Sequence, residues 1–171
     1  VSLERQNCKS QSIHTKENNI IFVKKDNEEL GFVGSPTEIN KSIIKKIVNE
    51  KKVPVIAPLG LDLNNQIYNI NADTAAGSIA KKLKARRLII MSDVKGVLDA
   101  NNKLVTELNS NSIKKLIENK TITGGMIPKI NNCLDVASNG VKGVVIIDGR
   151  KNHSLLFELL SDKGSGTLIR Q

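Results

Sequence analysis

Aromatic side chains are nearly missing from this chain of 171 residues: they make up 2%, with no Trp, one Tyr and three Phe. That argues against a stacking platform for single-stranded nucleic acid, which needs exposed rings. It also leaves the core to Ile, Leu, Val and Ala. Cysteine is scarce too. Cys8 and Cys133 show no metal-ligand spacing, and His14 and His153 lie far from both in the sequence. No zinc site or disulfide framework is therefore supported, and the thiols read as reduced groups of a reducing compartment. No apolar run approaches the roughly 20 residues of a membrane-spanning helix. No signal peptide is visible. GxxxxGK(S/T) and GxGxxG do not occur, which disfavours a P-loop or a Rossmann dinucleotide site. No Ser/His/Asp or Cys/His arrangement stands out.

What is abundant is positive charge. Lys plus Arg number 26 against 17 for Asp plus Glu, a formal net charge of +9. One reading is attraction for polyanions such as ATP or nucleic acid. The other is a low-GC genome, which favours Lys, Asn and Ile codons. The lysines are spread along the chain, whereas a nucleic-acid footprint is a localised patch, so nucleic acid is not expected as a partner. The length suits one domain with a core. The chain begins at Val1 rather than Met, and its first 18 residues lack periodicity. Residues 1–19 read as loop, and Val1 as the start of a fragment or processed product.

Beyond that, strand and helix signals alternate. Ile20–Val23 is a short strand and Gly31–Gly34 a second extended piece. Thr37 suits an N-cap for an amphipathic helix over 37–50. Val53–Pro58 reads as a buried strand with Pro54 near its start. A turn over 59–65 leads into an extended Gln66–Ile70, then an Ala-rich helix over 73–85. Arg87–Met91 is a nearly continuous apolar strand, as expected under helices on both faces. A loop over 92–104 follows, then a helix capped by Ser110 and another behind Gly124-Gly125. Val144–Ile147 is a buried strand, His153–Ser161 a helix carrying Leu155, Leu156, Leu159 and Leu160, and Thr167–Ile169 a closing strand. The fold class implied is α/β, a mainly parallel sheet sandwiched by helices.

Polar residues gather where strands run into helices or loops, the edge where such folds bind ligands. Lys129 follows two glycines at a helix start, where free N–H groups and a lysine suit a transferring phosphoryl group; it is also one of many surface lysines. Asp73 or Asn71 can cap the helix after it, and a capping carboxylate can also orient a lysine. Asn69 and Asn71 alternate with apolar residues, so both point to one face of a strand and suit a substrate carrying carboxylates or an amide; equally, they finish a hairpin. Ser92, Asp93 and Gly96, just past a strand's carboxyl end, fit phosphate or ribose, or an ordinary turn.

Together these stretches resemble the amino acid kinase family, in its order and spacing, from about residue 30 to the end. The segments that carry the resemblance are Gly31–Gly34, Pro54–Pro58, Tyr68–Gly77, Ser92–Val97, Gly124–Lys129, Ile146–Arg150, His153–Glu158 and Gly164–Thr167. Asn71-Ala72-Asp73 and Gly-Gly-Met-Ile-Pro-Lys at 124–129 resemble the branch that acts on N-acetyl-L-glutamate. The resemblance implies ATP-dependent phosphorylation of its γ-carboxylate, an early step of arginine biosynthesis, with Mg2+ bridging the ATP phosphates. It implies that Asn69, with Asn71 beside it, binds the acetylglutamate. Lys129 would stabilise the transferring phosphoryl group and Asp73 would hold catalytic lysines in place. Ser92, Asp93, Gly96, Val97, Leu98, Thr121, Ile122, Thr123, Gly124 and Gly125 would line the nucleotide site. Glu158 and Gly164 would fall in an arginine inhibitor site, and no residue is assigned as a metal ligand. A homo-oligomer and a nitrogen-signalling PII partner are implied for the full enzyme, in a bacterial cytoplasm or a plastid stroma.

The chain departs from the family pattern in one respect. A first glycine-flanked lysine, a His-Gly-Gly segment and a substrate-binding arginine, all from the family's amino-terminal half, are not found here. The expected organisation is an irregular or partial segment at 1–30 and a nucleotide-binding, carboxyl-terminal portion at 31–171. Such a chain binds ATP weakly and does not turn over. The alternative is a non-catalytic module that binds nucleotide or a partner.

Overall fold

The computed structural model describes residues 2–171. They form two compact units, Val1–Leu83 and Lys84–Gln171.

In the first unit, a short helix α1 (Ser2–Arg5) precedes strand β1 (Ser10–Ile13). Then follow β2 (Ile21–Lys25), β3 (Gly34–Ile39), helix α2 (Lys41–Asn49), β4 (Val53–Ile56), β5 (Leu59–Leu61), β6 (Ile67–Asn69) and helix α3 (Ala72–Leu83). Four strands form a sheet in the order β3-β2-β5-β6, and β1 pairs with β4 in a separate parallel ribbon. Ile13, Ile21, Val23, Ile39, Ile44, Ile47, Tyr68 and Ile70 close its core. The isoleucines of α2 supply the inward stripe, as their helical spacing requires.

Several expectations are corrected in this unit. Residues 1–19 are not a loop throughout, because β1 hydrogen-bonds with β4 from Ser10↔Val53 to Ile13↔Ile56. The polar side chains of β1 hide it, since a strand held by backbone pairing needs no apolar run. The first helix begins at Lys41, and its cap is Asn40, whose side chain accepts from the Ser42 N–H at 3.2 Å; Thr37 lies in β3. β4 is not a buried strand: Val53 and Val55 are 43% and 44% exposed. The turn before β6 is built by Asp62, whose carboxylate accepts from the N–H groups of Asn64 and Gln66 at 2.8 and 2.9 Å.

The second unit contains β7 (Leu88–Ser92), β8 (Glu107–Leu108), α4 (Ser110–Glu118), α5 (Met126–Ser138), β9 (Val144–Asp148), α6 (Ser154–Leu160) and β10 (Thr167–Ile169). Its sheet runs β7-β9-β10-β8. β7 and β9 are parallel, β9 and β10 antiparallel, β10 and β8 parallel. Val144–Ile147 is fully buried, with α5 and α6 packed against β9. The class is α/β with mixed sheets. α4 is capped by Asn109, in a reciprocal box with Ser112, rather than by Ser110.

α6 reverses the apolar reading. Leu155, Leu156, Leu159 and Leu160 are 39–81% exposed, whereas Ser154 and Glu158 are the buried residues. The cause is a polar network on the inner face. Ser165 Oγ donates to the Ser154 carbonyl at 2.8 Å, and the Ser165 N–H donates to Glu158 Oε2 at 2.9 Å. Arg87 Nη1 adds a bond to Glu158 Oε1 at 3.3 Å. A buried carboxylate with two partners holds its face inward more firmly than a leucine stripe could displace it.

Candidate nucleotide site

The residues expected to contact a nucleotide come from the carboxyl end of β7 and the segment before α5. They enclose a cavity of about 460 Å³ in the second unit. Asp93, Gly96, Val97, Leu98, Thr121, Ile122 and Thr123 line it. Ser92, Gly124 and Gly125 do not. Ser92 instead ends β7, where its hydroxyl donates to Asp93 Oδ1 at 3.2 Å and its carbonyl accepts from the Gly149 N–H at 2.7 Å.

Local chemistry shapes the loop after β7. Gly96 has φ +131°, and a Cβ there would lie 2.6 Å from Thr167 Oγ1, so both backbone and space demand glycine. Thr167, fully buried on β10, accepts from the Val97 N–H at 2.9 Å and donates to the Val105 carbonyl at 2.6 Å. The loop then doubles back as a small hairpin. Leu98 bridges to Leu104, and the Asp99 carboxylate accepts from the Asn101 and Lys103 N–H groups, each at 2.9 Å.

The start of α5 differs from expectation. Gly124 and Gly125 are exposed, and a Cβ at either would meet nothing within 4 Å, so a ligand could approach there. The donors, however, are few. Met126 and Ile127 already donate to the Thr123 and Gly124 carbonyls at 3.3 and 3.2 Å, and Pro128 has no N–H. Attraction for an anion at this end rests more on the half-buried Lys129, fourth residue of α5, than on a fan of backbone donors.

Five cavity residues were missed by sequence reasoning: Val94, Lys95, Asn102, Met126 and Arg150. Lys95 and Arg150 sit within segments that carried the resemblance, and their charge was the available signal. Arg150 is clamped by Asp148. Its Nε and Nη2 donate to the two carboxylate oxygens at 2.9 and 3.0 Å, and its own N–H reaches Oδ1 at 3.0 Å. These bonds hold the Asp148 carboxyl below its ordinary pKa, with a lesser pull from Lys95. They raise the Arg150 guanidinium, to which Asp93 contributes a smaller electrostatic part.

The expected acceptor-side residues belong to the first unit. Asn69 ends β6, exposed, and its N–H donates to the Phe32 carbonyl at 2.8 Å. The strand stops there, so Asn71 does not share its face as alternation suggested. Asn71 turns to cap α3, its Oδ1 accepting from the Thr74 N–H at 3.1 Å. Asp73, half-buried in the first turn of α3, occupies a place where the helix dipole favours a carboxylate.

In the second unit, Glu158 and Gly164 line a further cavity of about 520 Å³ together with Arg87 and Lys163. Cys133 is buried in α5 and Cys8 is partly exposed. Among the described residues, no helix is long and apolar enough to cross a membrane. No group of three or more His, Cys, Asp or Glu is placed to hold a metal ion among them.

Comparison with known proteins adds to this geometry. The profile described as "Amino acid kinase family" matches residues 2–148. The acetylglutamate kinase of Pelagibacter ubique is 67% identical over 170 residues, 99% of this chain and 59% of that protein. The acetylglutamate kinase of Ruegeria pomeroyi is 43% identical over 169 residues, with the same shares of each chain. The crystal structure of smu.665 from Streptococcus mutans UA159 superposes with a TM-score of 0.82 at 31% identity, over 99% of this chain and 64% of that one. The chain thus spans about three fifths of the length of the relatives it matches.

Proposed function

Because the chain belongs to the amino acid kinase family, we propose that it contributes the ATP-binding part of an enzyme that phosphorylates the γ-carboxylate of N-acetyl-L-glutamate in arginine biosynthesis. The observation that carries this reading is the cavity of about 460 Å³, lined by seven of the ten residues that the resemblance assigns to the nucleotide. Its wall includes Met126, first residue of the helix that bears Lys129. The 67% identity to the Pelagibacter kinase supports the choice of acceptor. In this reading the cavity lies within the expected nucleotide-binding portion at 31–171, in the unit Lys84–Gln171.

In-line phosphoryl transfer asks mainly for positioning and charge neutralisation. Lys129 supplies a cation for the charge growing on the transferring group. Asn69 and Asn71 offer amides to the acetylglutamate, and Asp73 is the carboxylate assigned to lysine positioning. Among the described residues, Asp93 is the carboxylate that lines the cavity. Mg2+ would accompany ATP and would offset the charge of its phosphates. The reaction belongs in a reducing cytoplasm.

The test is hydroxylamine trapping of the acyl phosphate. The 171-residue chain alone is expected to bind ATP weakly and form no hydroxamate. Joined to the remainder of the Pelagibacter enzyme it should form hydroxamate, with a fall of about a hundredfold in Lys129→Ala. Activity unchanged by that substitution would sink the role of Lys129. A joined protein that binds ATP without transfer would favour a non-catalytic module.

The Glu158 cavity is proposed as an arginine inhibitor site, which an arginine titration of the joined enzyme checks. Light scattering with and without a PII protein tests the homo-oligomer and that partner.

A further inference from the structure

The nucleotide cavity has much apolar wall: Val97, Leu98, Ile122 and Met126. Among the described residues, no aromatic ring lines it, so none is offered for stacking on a base. A planar cation does line it, the guanidinium-bearing Arg150. Its plane is not free to swing. Asp148 takes two parallel N–H bonds from one edge, at 2.9 and 3.0 Å, and the shared register of β7 and β9 sets Asp148 opposite Ser92, beside Asp93. A two-bond clamp of this kind fixes orientation as well as charge.

The clamp also changes what the group is good for. A guanidinium whose charge is offset by a carboxylate attracts phosphate weakly. Its faces remain available to a heteroaromatic ring, because stacking uses the plane and not the spent edge. The phosphates have a second cation in the same wall, Lys95.

We propose that Arg150 binds the nucleobase, its Asp148-clamped plane forming one face of a slot whose other face is the apolar wall. The proposal rests on the nucleotide assignment above. It predicts that Arg150 acts on the base and Lys95 on the phosphates.

The measurement is calorimetric titration of the 171-residue chain with ATP and, separately, with inorganic tripolyphosphate. Arg150→Ala and Arg150→Lys are each expected to weaken ATP binding about tenfold, the scale of base stacking, and to leave tripolyphosphate within about twofold of the parent. Arg150→Lys keeps the charge and loses the plane, so it separates the two roles. The Arg150 side chain is 64% exposed, so the fold should tolerate both, as a thermal melt would verify. Parent-like ATP affinity in Arg150→Lys would overturn the proposal, as would a parallel loss of ATP and tripolyphosphate. A parent chain that binds neither ligand would overturn the nucleotide assignment itself.

Discussion

The cavity around Gly96 and the cavity around Glu158 belong to the same compact unit and have similar volumes, about 460 and 520 Å³. They differ in where their polar groups are spent. Around Glu158 the central carboxylate is met from within the chain, by the Ser165 N–H and the Arg87 guanidinium. Around Gly96 the hydrogen bonds are made behind the wall, by Thr167 to Val97 and Val105, so the loop is shaped while its lining stays available. A cavity can thus be a tie that closes on itself or a mould held open from behind. Size alone does not distinguish them.

The substitution expected to break both at once is Gly166→Ala. A Cβ at Gly166 would sit 2.0 Å from the Ile146 carbonyl oxygen, where β10 crosses β9. Backbone cannot yield that much, so a loss on the order of 4 kcal/mol or failure to fold is expected in urea unfolding. Wild-type stability would show that the strands part more easily than the packing implies.

Thr167→Val should break the open cavity alone. It removes the acceptor of the Val97 N–H and the donor to Val105, an expected cost of about 1–3 kcal/mol. ATP affinity should fall with it, while the Arg87–Glu158 pair is spared. If affinity held, the loop would be shaped by something other than this side chain.

Glu158→Gln gives the reverse pattern. Arg87 is 41% exposed, so the ion pair itself counts for little. The lost charge-assisted bond from Ser165 should cost roughly 1 kcal/mol, with ATP binding unchanged. A loss of ATP affinity would mean that the two cavities are coupled.

The smallest effect is electrostatic. Asp148 titrates below its ordinary value because Arg150 donates to it. A depressed carboxylate contributes stability that is present above the unfolded pKa, about 3.9, and is lost as pH falls through the folded value. Thermal melts of the parent and Asp148→Asn should therefore draw together as pH falls below about 3.9, with the gap at neutral pH shrinking in salt. A gap that does not narrow on acidification would assign the clamp a packing role instead.

Much of this was legible before any coordinates. Val144–Ile147 declared itself as a central strand because apolar runs covered on both faces have no alternation to hide them. The loop after β7, marked by Gly96, lines the candidate cavity. Other features were hidden for physical reasons. β1 is polar and is recognised only by its partner β4. Asn40 and Asn109 took the helix caps from Thr37 and Ser110, a choice among neighbours with nearly equal propensity. Arg150 was not assigned to the site, because its clamp on Asp148 is visible only in the structure.

The sequence by itself determined the family and the alternation of strands and helices, because these depend on local propensity, spacing and residue identity. Only the tertiary structure decided which face of α6 turns inward. Four leucines predicted one answer, and a buried carboxylate with partners on β7's flank and before β10 imposed the other. The reason is that burial of a charge is tolerated only where partners from distant parts of the chain converge, and that convergence is not written in any local pattern.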